Sequence, residues 1–559
     1  MKEKIAAALI AGLQGQLSVE DIEKAIEIPP SDNLGDYAFP CFSLAKVLKK
    51  NPTQIASELK EKLTSLDGIR VETTGGYLNF FIDKEQLAAS TVNLSSQEIF
   101  GRQNKGQRVV MEFASPNTNK PLHLGHLRNM SIGDSISRIL SFCGCGVTKT
   151  SINNDRGVHI CKSMLAYQRK GGGATPQSRN IKSDHFVGDY YVLFNNESKE
   201  DPSWSEDAQQ MLLKWENGDP QILELWKTMN EWALNGFRET YKLFGISFDK
   251  EYYESDIYKN GKEIVQDGLD RGIFVRREDG AVFVDLEQEK LGDKVLLRPD
   301  GTSVYIVQDL YLALLKDKEF KYDRSFYVVG NEQDYHFNVL IAIFKKLGLD
   351  AADKMKHLSY GMVELPEGKM KSREGTVVDA DDLIKETASL AKQEVAARYQ
   401  LSEEQINERS LKIALAAIKY QLLKVDIAKT MIFDPKKAIS FEGDTGPYLL
   451  YSYARASSIL RKAAKLETLV IPKLEQGEIK LIKKIAFFPA AVNFAYERLS
   501  PSVIANYAFE LAQCFNEFYH SHQVIGSETE NFRLHLTASF RSTLSKCLML
   551  LGIETIEEM

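Results

Sequence analysis

The sequence predicts an α/β protein built on a doubly wound parallel sheet, with an α+β domain before it and an all-α helical bundle after it. Three observations carry that prediction. The apolar stretch RVVMEFAS stops at a loop of Pro, Asn and Thr, and a helical pattern with Ile132, Ile136, Ile139 and Leu140 follows. A strand, a polar loop and a helix in that order open a doubly wound domain. Upstream, helical periodicity gives way to VETTGGYLNFFID, where Tyr77, Asn79 and Phe81 alternate with their neighbours as on a strand. Downstream of residue 385 the pattern is almost wholly helical, with turns at FEGDTGP and RLSPS.

The elements follow in chain order. MKEKIAAALIAGL is an amphipathic first helix with Ile5, Leu9 and Leu13 on one face. Its charge-then-apolar order imitates a secretory leader, but Glu3 falls in the would-be basic region and no disulfide pattern follows. The α+β domain spans 1–105 and the sheet domain 106–385, with further strands at GVTKTSI, SFYVVG and LSYGMVEL. RKGGGATPQSRNIKSD (169–184) and NNESKEDPSWSED (195–207) read as polar insertions or surface loops. The helical bundle spans 386–559.

Composition narrows the class. Hydrophobic residues make up 43% and charged residues 26%, an ordinary globular balance. No apolar run reaches the roughly 18 residues that a membrane span needs, so no membrane partner is expected. The 6 cysteines form no CxxC pair, and none has a histidine at zinc-finger spacing. Reduced thiols, no metal site and a cytoplasmic location follow as expectations. A net charge of −7 does not exclude nucleic acid, because binding depends on local basic surface.

Two segments carry chemistry. MEFASPNTNKPLHLGHLRN places His123 and His126 three apart where a helix begins. Helix N-termini attract phosphate, and imidazoles at that spacing share a face and donate to its oxygens. Gly125 leaves room for a planar base against the backbone. Two histidines that merely cap a helix are the other reading of that string. ELPEGKMKSREGTVV sets Lys369, Lys371 and Arg373 on a glycine-flanked stretch, suited to a pyrophosphate leaving group or else simply a solvated basic loop.

Together, HLGH and KMKS resemble the two signatures of class I aminoacyl-tRNA synthetases. GDYAFP, EFASPN, NNDRGVHI, YIVQD, GNEQDYH, GMVELPEGKMKSREGTVV, FEGDTGPYLLYSYAR and the LGI near the end sharpen the resemblance to the arginyl-tRNA synthetase family over nearly the whole chain. The resemblance implies a Rossmann-type catalytic domain, an N-terminal domain that touches the outer corner of tRNA and a bundle that binds the anticodon. It implies an arginine–tRNA ligase that forms arginyl-adenylate from ATP, with Mg²⁺ carried on the nucleotide. Arginine then passes to the 2′-hydroxyl of the terminal adenosine of tRNA(Arg). A monomer is expected, and activation is expected to need bound tRNA.

The same resemblance assigns residues. His123, His126, Lys369 and Lys120 would serve catalysis. Pro116, Asn117, Leu122 and Gly125 would line ATP beside the histidines, with Lys371 and Ser372 from the signature loop. Gly330 and His336 would meet ribose and adenine, and the backbone of Met362 and Val363 would edge the adenine. Two departures from pattern matter. Ser372 stands where class I loops usually place a second lysine, which leaves Lys120 to substitute for it. The chain also ends IETIEEM, so Met559 keeps its place with altered neighbours.

Arginine presents a planar guanidinium with five donors, and a selective pocket needs carboxylates in its plane. Tyr305 and Asp309, four apart, would share a helix face. By resemblance they hold the guanidinium with Glu254, while Glu112, Ser115, Asn117 and Gln333 hold the α-amino and carboxylate end. Tyr448, Tyr451 and Arg455 fall on successive helical turns, where aromatic and basic residues suit unstacked bases and phosphate. Tyr519 and Met559 match further tRNA-contacting positions. Three competitors stay in view: a synthetase for another amino acid, a catalytically dead tRNA-binding paralogue, and a small-molecule nucleotidyltransferase. An aliphatic substrate would strand Asp309 and Glu254 as unpaired charges, intact HLGH argues against a dead paralogue, and a nucleotidyltransferase has no use for the long helical C-terminus.

Overall fold

Val109, Val110 and Met111 are buried in succession, as a central parallel strand covered on both faces requires. The computed structural model describes residues 2–27, 29–63, 66–366, 378–463 and 466–559. Lys369, Lys371, Ser372 and Arg373 therefore lie outside the described residues. The chain divides into two compact units, and the C-terminal helices contribute to both.

One unit comprises Met1–Phe100, Ile459–Phe487 and Cys514–Ser542. Its first helix, Lys2–Leu13, buries Ile5, Leu9 and Leu13, the face that the periodicity predicts. Strands β1 (Tyr37–Pro40), β2 (Ile69–Thr74) and β3 (Tyr77–Ile82) form an antiparallel sheet in the order β1-β3-β2. The β2–β3 turn pairs Thr74 with Tyr77, and Gly75 supplies its positive φ of 58°. Among the C-terminal helices here, buried Arg533 bridges Glu478 at 2.8 Å and Glu475 at 2.6 Å.

The other unit comprises Gly101–Ser458, Phe488–Gln513 and Thr543–Met559. It opens with β4 (Arg108–Glu112), the helix Leu124–Phe142, β5 (Gly146–Asn153) and, after four long helices, β6 (Lys250–Tyr253). β7 (Val275–Arg276), β8 (Val282–Leu286) and β9 (Gly292–Leu297) form a separate antiparallel sheet. β10 (Arg324–Gly330) and β11 (Met355–Tyr360) then complete a five-stranded, wholly parallel sheet ordered β11-β10-β4-β5-β6. The chain runs outward from β4 to one edge, returns, and runs outward through β10 to the other. That reversal opens a crevice at the carboxyl ends of β4 and β10, where doubly wound sheets bind ligands.

The structure departs from the sequence reading in three places. The stretch 195–207 is mostly helix, shared by Ser183–Glu200 and Ser203–Glu216 and broken only at Asp201–Pro202. Its polar residues face outward, while Phe194 and Trp204 are buried edge to face at 5.8 Å. LSYGMVEL is not one strand. A Cβ on Gly361 would lie 2.5 Å from the backbone at Lys429 and Thr430, so β11 ends at Tyr360 where two chain segments touch. β12 (Val363–Glu364) then pairs with β13 (Met431–Ile432) instead. The β7–β9 sheet goes unpredicted, although AVFVDL and GDKVLL carry a strand's apolar content.

Candidate active site

The helix Leu124–Phe142 begins with His123 as its N-cap, and its two histidines are locked by backbone donors. Gly125 N–H donates to His123 Nδ1 at 3.1 Å, and His123 N–H donates to His126 Nδ1 at 3.1 Å. Each Nδ1 is therefore the acceptor, which puts the ring proton on Nε2. The rings lie 3.9 Å apart. A Cβ on Gly125 would meet His123 Cε1 at 2.9 Å, so the glycine makes room first for this imidazole. Burial, then the neighbouring Lys120 ammonium, push His123 down to about 3. Burial, then His123 and Lys120, push His126 well below its ordinary range. Both are neutral donors at physiological pH.

Lys120 itself is held below its ordinary value by burial. It has no ion-pair partner among the described residues. It borders a cavity of about 170 Å³ with Leu122, His123, His185, Asp189 and Asp379. The backbone beyond the signature loop closes on this corner: Leu124 N–H donates to Val378 O and Ala380 N–H to Leu122 O, each at 3.0 Å. Asp184, His185 and Asp381 offer metal-ligating atoms within 4.8 Å of one another. Lys182 Nζ already stands among them, 2.6 Å from Asp381 Oδ2 and 3.3 Å from Asp184 Oδ2, so an ammonium meets that charge.

The acidic residues form a second group. Asp309 lies one turn into the helix Tyr305–Phe320, and its Oδ2 sits 2.6 Å from His336 Nε2. Tyr305, at the first turn of that helix, is 64% exposed, so its ring is open to a ligand. Glu254 is buried, and its carboxyl rises to about 7. Burial is the main cause; Arg156 opposes it, and the charges of Asp155 and Asp309 add to it. Arg156 NH1 is 3.7 Å from Glu254 Oε1, yet its guanidinium also lies over the Tyr258 ring at 3.9 Å and bonds Glu216 at 2.7 Å. Glu112 is paired with the fully buried Lys316.

The remaining predicted positions surround the carboxyl ends of β4, β10 and β11. Ser115 and the buried Pro116 follow β4, and Asn117 is exposed and bridged to Asn154, just past the end of β5. Gly330 ends β10, with exposed Gln333 just beyond it. Met362 is exposed and Val363 buried, and Leu122 is buried beneath His123. Fully buried Arg128 pins this rim, donating to Met362 O at 2.8 Å and Lys429 O at 2.7 Å. Sequence reasoning missed Arg128, Asn129, Lys316 and Arg156. The first two directly follow HLGHL, and that adjacency was the one available signal.

Tyr448, Tyr451 and Arg455 lie half-buried on the helix Gly446–Lys462, with Arg455 NH2 donating to Tyr451 OH at 2.9 Å. The segment that ends in Met559 docks in the same unit. Leu550 O accepts from Ser135 Oγ at 2.8 Å, Gly552 O from Lys419 Nζ at 2.6 Å, and Glu557 from Tyr453 OH at 2.7 Å. In the other unit, Tyr519 stacks on Phe515 with ring centroids 6.4 Å apart.

A parallel sheet in this order, with paired neutral imidazoles at the helix that follows its first strand, fits the class I aminoacyl-tRNA synthetase resemblance that HLGH suggests. Comparison with known proteins narrows it. The family model "tRNA synthetases class I (R), catalytic domain" matches residues 90–434. The arginyl-tRNA synthetase N-terminal domain matches 1–82, and the DALR anticodon binding domain matches 449–559. The arginine–tRNA ligase of Treponema denticola is 46% identical, over 96% of this chain and 94% of that one. That of Bacteroides thetaiotaomicron is 42% identical over 100% of both. The solved arginyl-tRNA synthetase of Thermus thermophilus superposes with a TM-score of 0.84 over 100% of both chains, at 27% identity. The chain belongs to the arginyl-tRNA synthetase family.

Proposed function

We propose that this site condenses L-arginine with ATP to arginyl-adenylate and pyrophosphate, then passes arginine to the 2′-hydroxyl of the terminal adenosine of tRNA(Arg). Joining arginine to tRNA with ATP is the activity that family membership carries. The observation that bears most on substrate choice is the pair Glu254 and Asp309, whose charges couple beside an open Tyr305. Each carboxylate keeps a local partner, Arg156 for Glu254 and His336 for Asp309, and an incoming guanidinium can engage both. Ser115, Asn117 and Gln333 take the α-amino and carboxylate end, with Glu112 held in place by Lys316.

In the first step the arginine carboxylate oxygen bonds the α-phosphorus as the bond to the pyrophosphate oxygen breaks. Neutral His123 and His126 donate their Nε2–H groups to phosphate oxygens as charge shifts, at no cost in displaced protons. Lys120, desolvated and unpaired among the described residues, supplies the point charge for the breaking triphosphate, with Lys369 from the signature loop. Lys371 and Ser372 complete the loop's contacts with ATP. Mg²⁺ enters as the counter-ion of the nucleotide. Pro116, Leu122, Gly125, Gly330, His336, Met362 and Val363 shape the nucleotide's place. In the second step the 2′-hydroxyl oxygen bonds the arginyl carbonyl carbon as the bond to AMP breaks, and positioning supplies most of the rate.

Three parts divide the work: 1–105 contacts the outer corner of tRNA, 106–385 carries the chemistry, and 386–559 reads the anticodon. Tyr448, Tyr451, Arg455, Tyr519 and Met559 contribute to that reading. The buried free thiols Cys41, Cys143, Cys145, Cys161 and Cys547 support a cytoplasmic setting. No helix among the described residues is long and apolar enough to cross a membrane. The histidine pair and the acidic pair come from one chain, so the chemistry itself calls for no second copy. The pocket is tested with Asp309→Asn: arginine affinity should fall by roughly 2–5 kcal/mol while ATP affinity holds. Unchanged arginine binding by calorimetry contradicts the assignment.

A further inference from the structure

Ala114 and Ser115, the two residues that turn the chain out of β4, both take left-handed backbone angles, with φ of 71° and 48°. Neither is glycine, so the turn holds only where its surroundings over-determine it. Its buried Ala114 N–H donates to Asn129 Oδ1 at 2.6 Å. Asn129 lies on the helix Leu124–Phe142, one turn beyond His126, and is itself buried. The Ala114 donor fixes which way the amide faces, because only the oxygen can accept. Nδ2 then donates to Val328 O on β10 at 2.7 Å and to Tyr360 OH at the end of β11 at 3.4 Å. One side chain thus joins the ends of three adjacent parallel strands to the helix that carries the histidine pair. Ser115 is held on its other side, its N–H donating to Ser151 Oγ at 3.3 Å.

We propose that Asn129 is a positioning residue for arginine: it holds the Ala114–Ser115 turn in the left-handed shape that presents Ser115 to the substrate's α-amino and carboxylate end. The inference rests on the reading that Ser115 contacts the amino acid. Without the Asn129 oxygen, the Ala114 amide is buried and unpaired, and the turn relaxes toward ordinary backbone angles. A relaxed turn moves Ser115 and weakens arginine capture, while the histidine pair, held by its own backbone donors, stays in place.

The test is ATP–pyrophosphate exchange with tRNA present, on three variants. Asn129→Ala should raise the arginine KM about tenfold or more, with kcat and the ATP KM within about threefold of wild type. Adding Ala114→Gly should recover much of that loss, because glycine takes a positive φ without strain. A residue that only stabilises the core would not be rescued by glycine at a neighbouring turn. The double variant also reads the effect if the single one folds poorly. Ser115→Ala separately tests the underlying site, and it too should raise the arginine KM. Should Ser115→Ala raise it while Asn129→Ala leaves it within about twofold, or while Ala114→Gly recovers nothing, the role of Asn129 is wrong and the site stands. No change from Ser115→Ala removes the reading beneath the proposal and the proposal with it.

Discussion

Lys120 and Glu254 carry the sharpest consequences of single side chains, because each is an ionisable group held partly out of water. Lys120→Ala should slow adenylate formation by about 10²-fold or more, since a desolvated cation beside the breaking triphosphate acts mainly in the transition state. Ser372→Lys in that background should restore part of the rate if charge is what was lost. Wild-type single-turnover rates in Lys120→Ala would contradict this role. Glu254 makes a pH prediction. Its carboxyl is raised to about 7, so the folded free enzyme favours the protonated form, and the carboxylate costs stability as pH climbs from the ordinary carboxylate range through 7. A bound guanidinium needs the carboxylate. Arginine affinity should therefore weaken as pH falls below 7, approaching about tenfold per unit, and Glu254→Gln should flatten the profile. Calorimetry from pH 6 to 8 reads both, and a pH-independent affinity in the wild type rules out Glu254 as a ligand. Asp309 and Glu254 were named through the family resemblance, since guanidinium chemistry asks for carboxylates without saying which ones. Arg156, which tempers Glu254 from a different segment, was not, because only the fold brings the two together.

At the scale of elements, the helix Tyr305–Phe320 is tied to β4 by Lys316 and Glu112, an ion pair with almost no exposure. Lys316 also lies over the Tyr327 ring at 4.7 Å. Removing one partner strands the other as a buried charge. Lys316→Met should cost roughly 3–5 kcal/mol of unfolding free energy, and Glu112→Gln in the same chain should return much of it. Denaturant unfolding measures both, and a near-neutral single variant would show that the pair is not buried as described. The elements also show where sequence patterns succeed. The β4–loop–helix unit was legible because a fully buried strand and a glycine-bearing helix start leave local signals. The helices across 195–207 were misread because their buried stripe is spread thinly among polar residues. Phe194 and Trp204 reveal it only once the partner helices are known. β12 and β13 are two residues long, too short for any periodicity to announce them.

For the whole molecule, the order of parts was legible and their packing was not. Helical texture after residue 385 was correct, but periodicity gave no hint that the last residues return to the helix of the histidine pair through Leu550 and Ser135. Nor did it show that C-terminal helices complete the unit built on β1–β3. Such long-range pairings are set by shape rather than by local pattern. What unites the parts is one claim, that an acidic pair selects arginine and a neutral histidine pair meets the phosphates. The most direct test is ATP–pyrophosphate exchange by the wild-type enzyme with each of the twenty amino acids, with and without tRNA(Arg). Exchange is expected with arginine alone, and only when tRNA(Arg) is bound. Exchange driven by any other amino acid, or none with arginine when tRNA(Arg) is present, would contradict it.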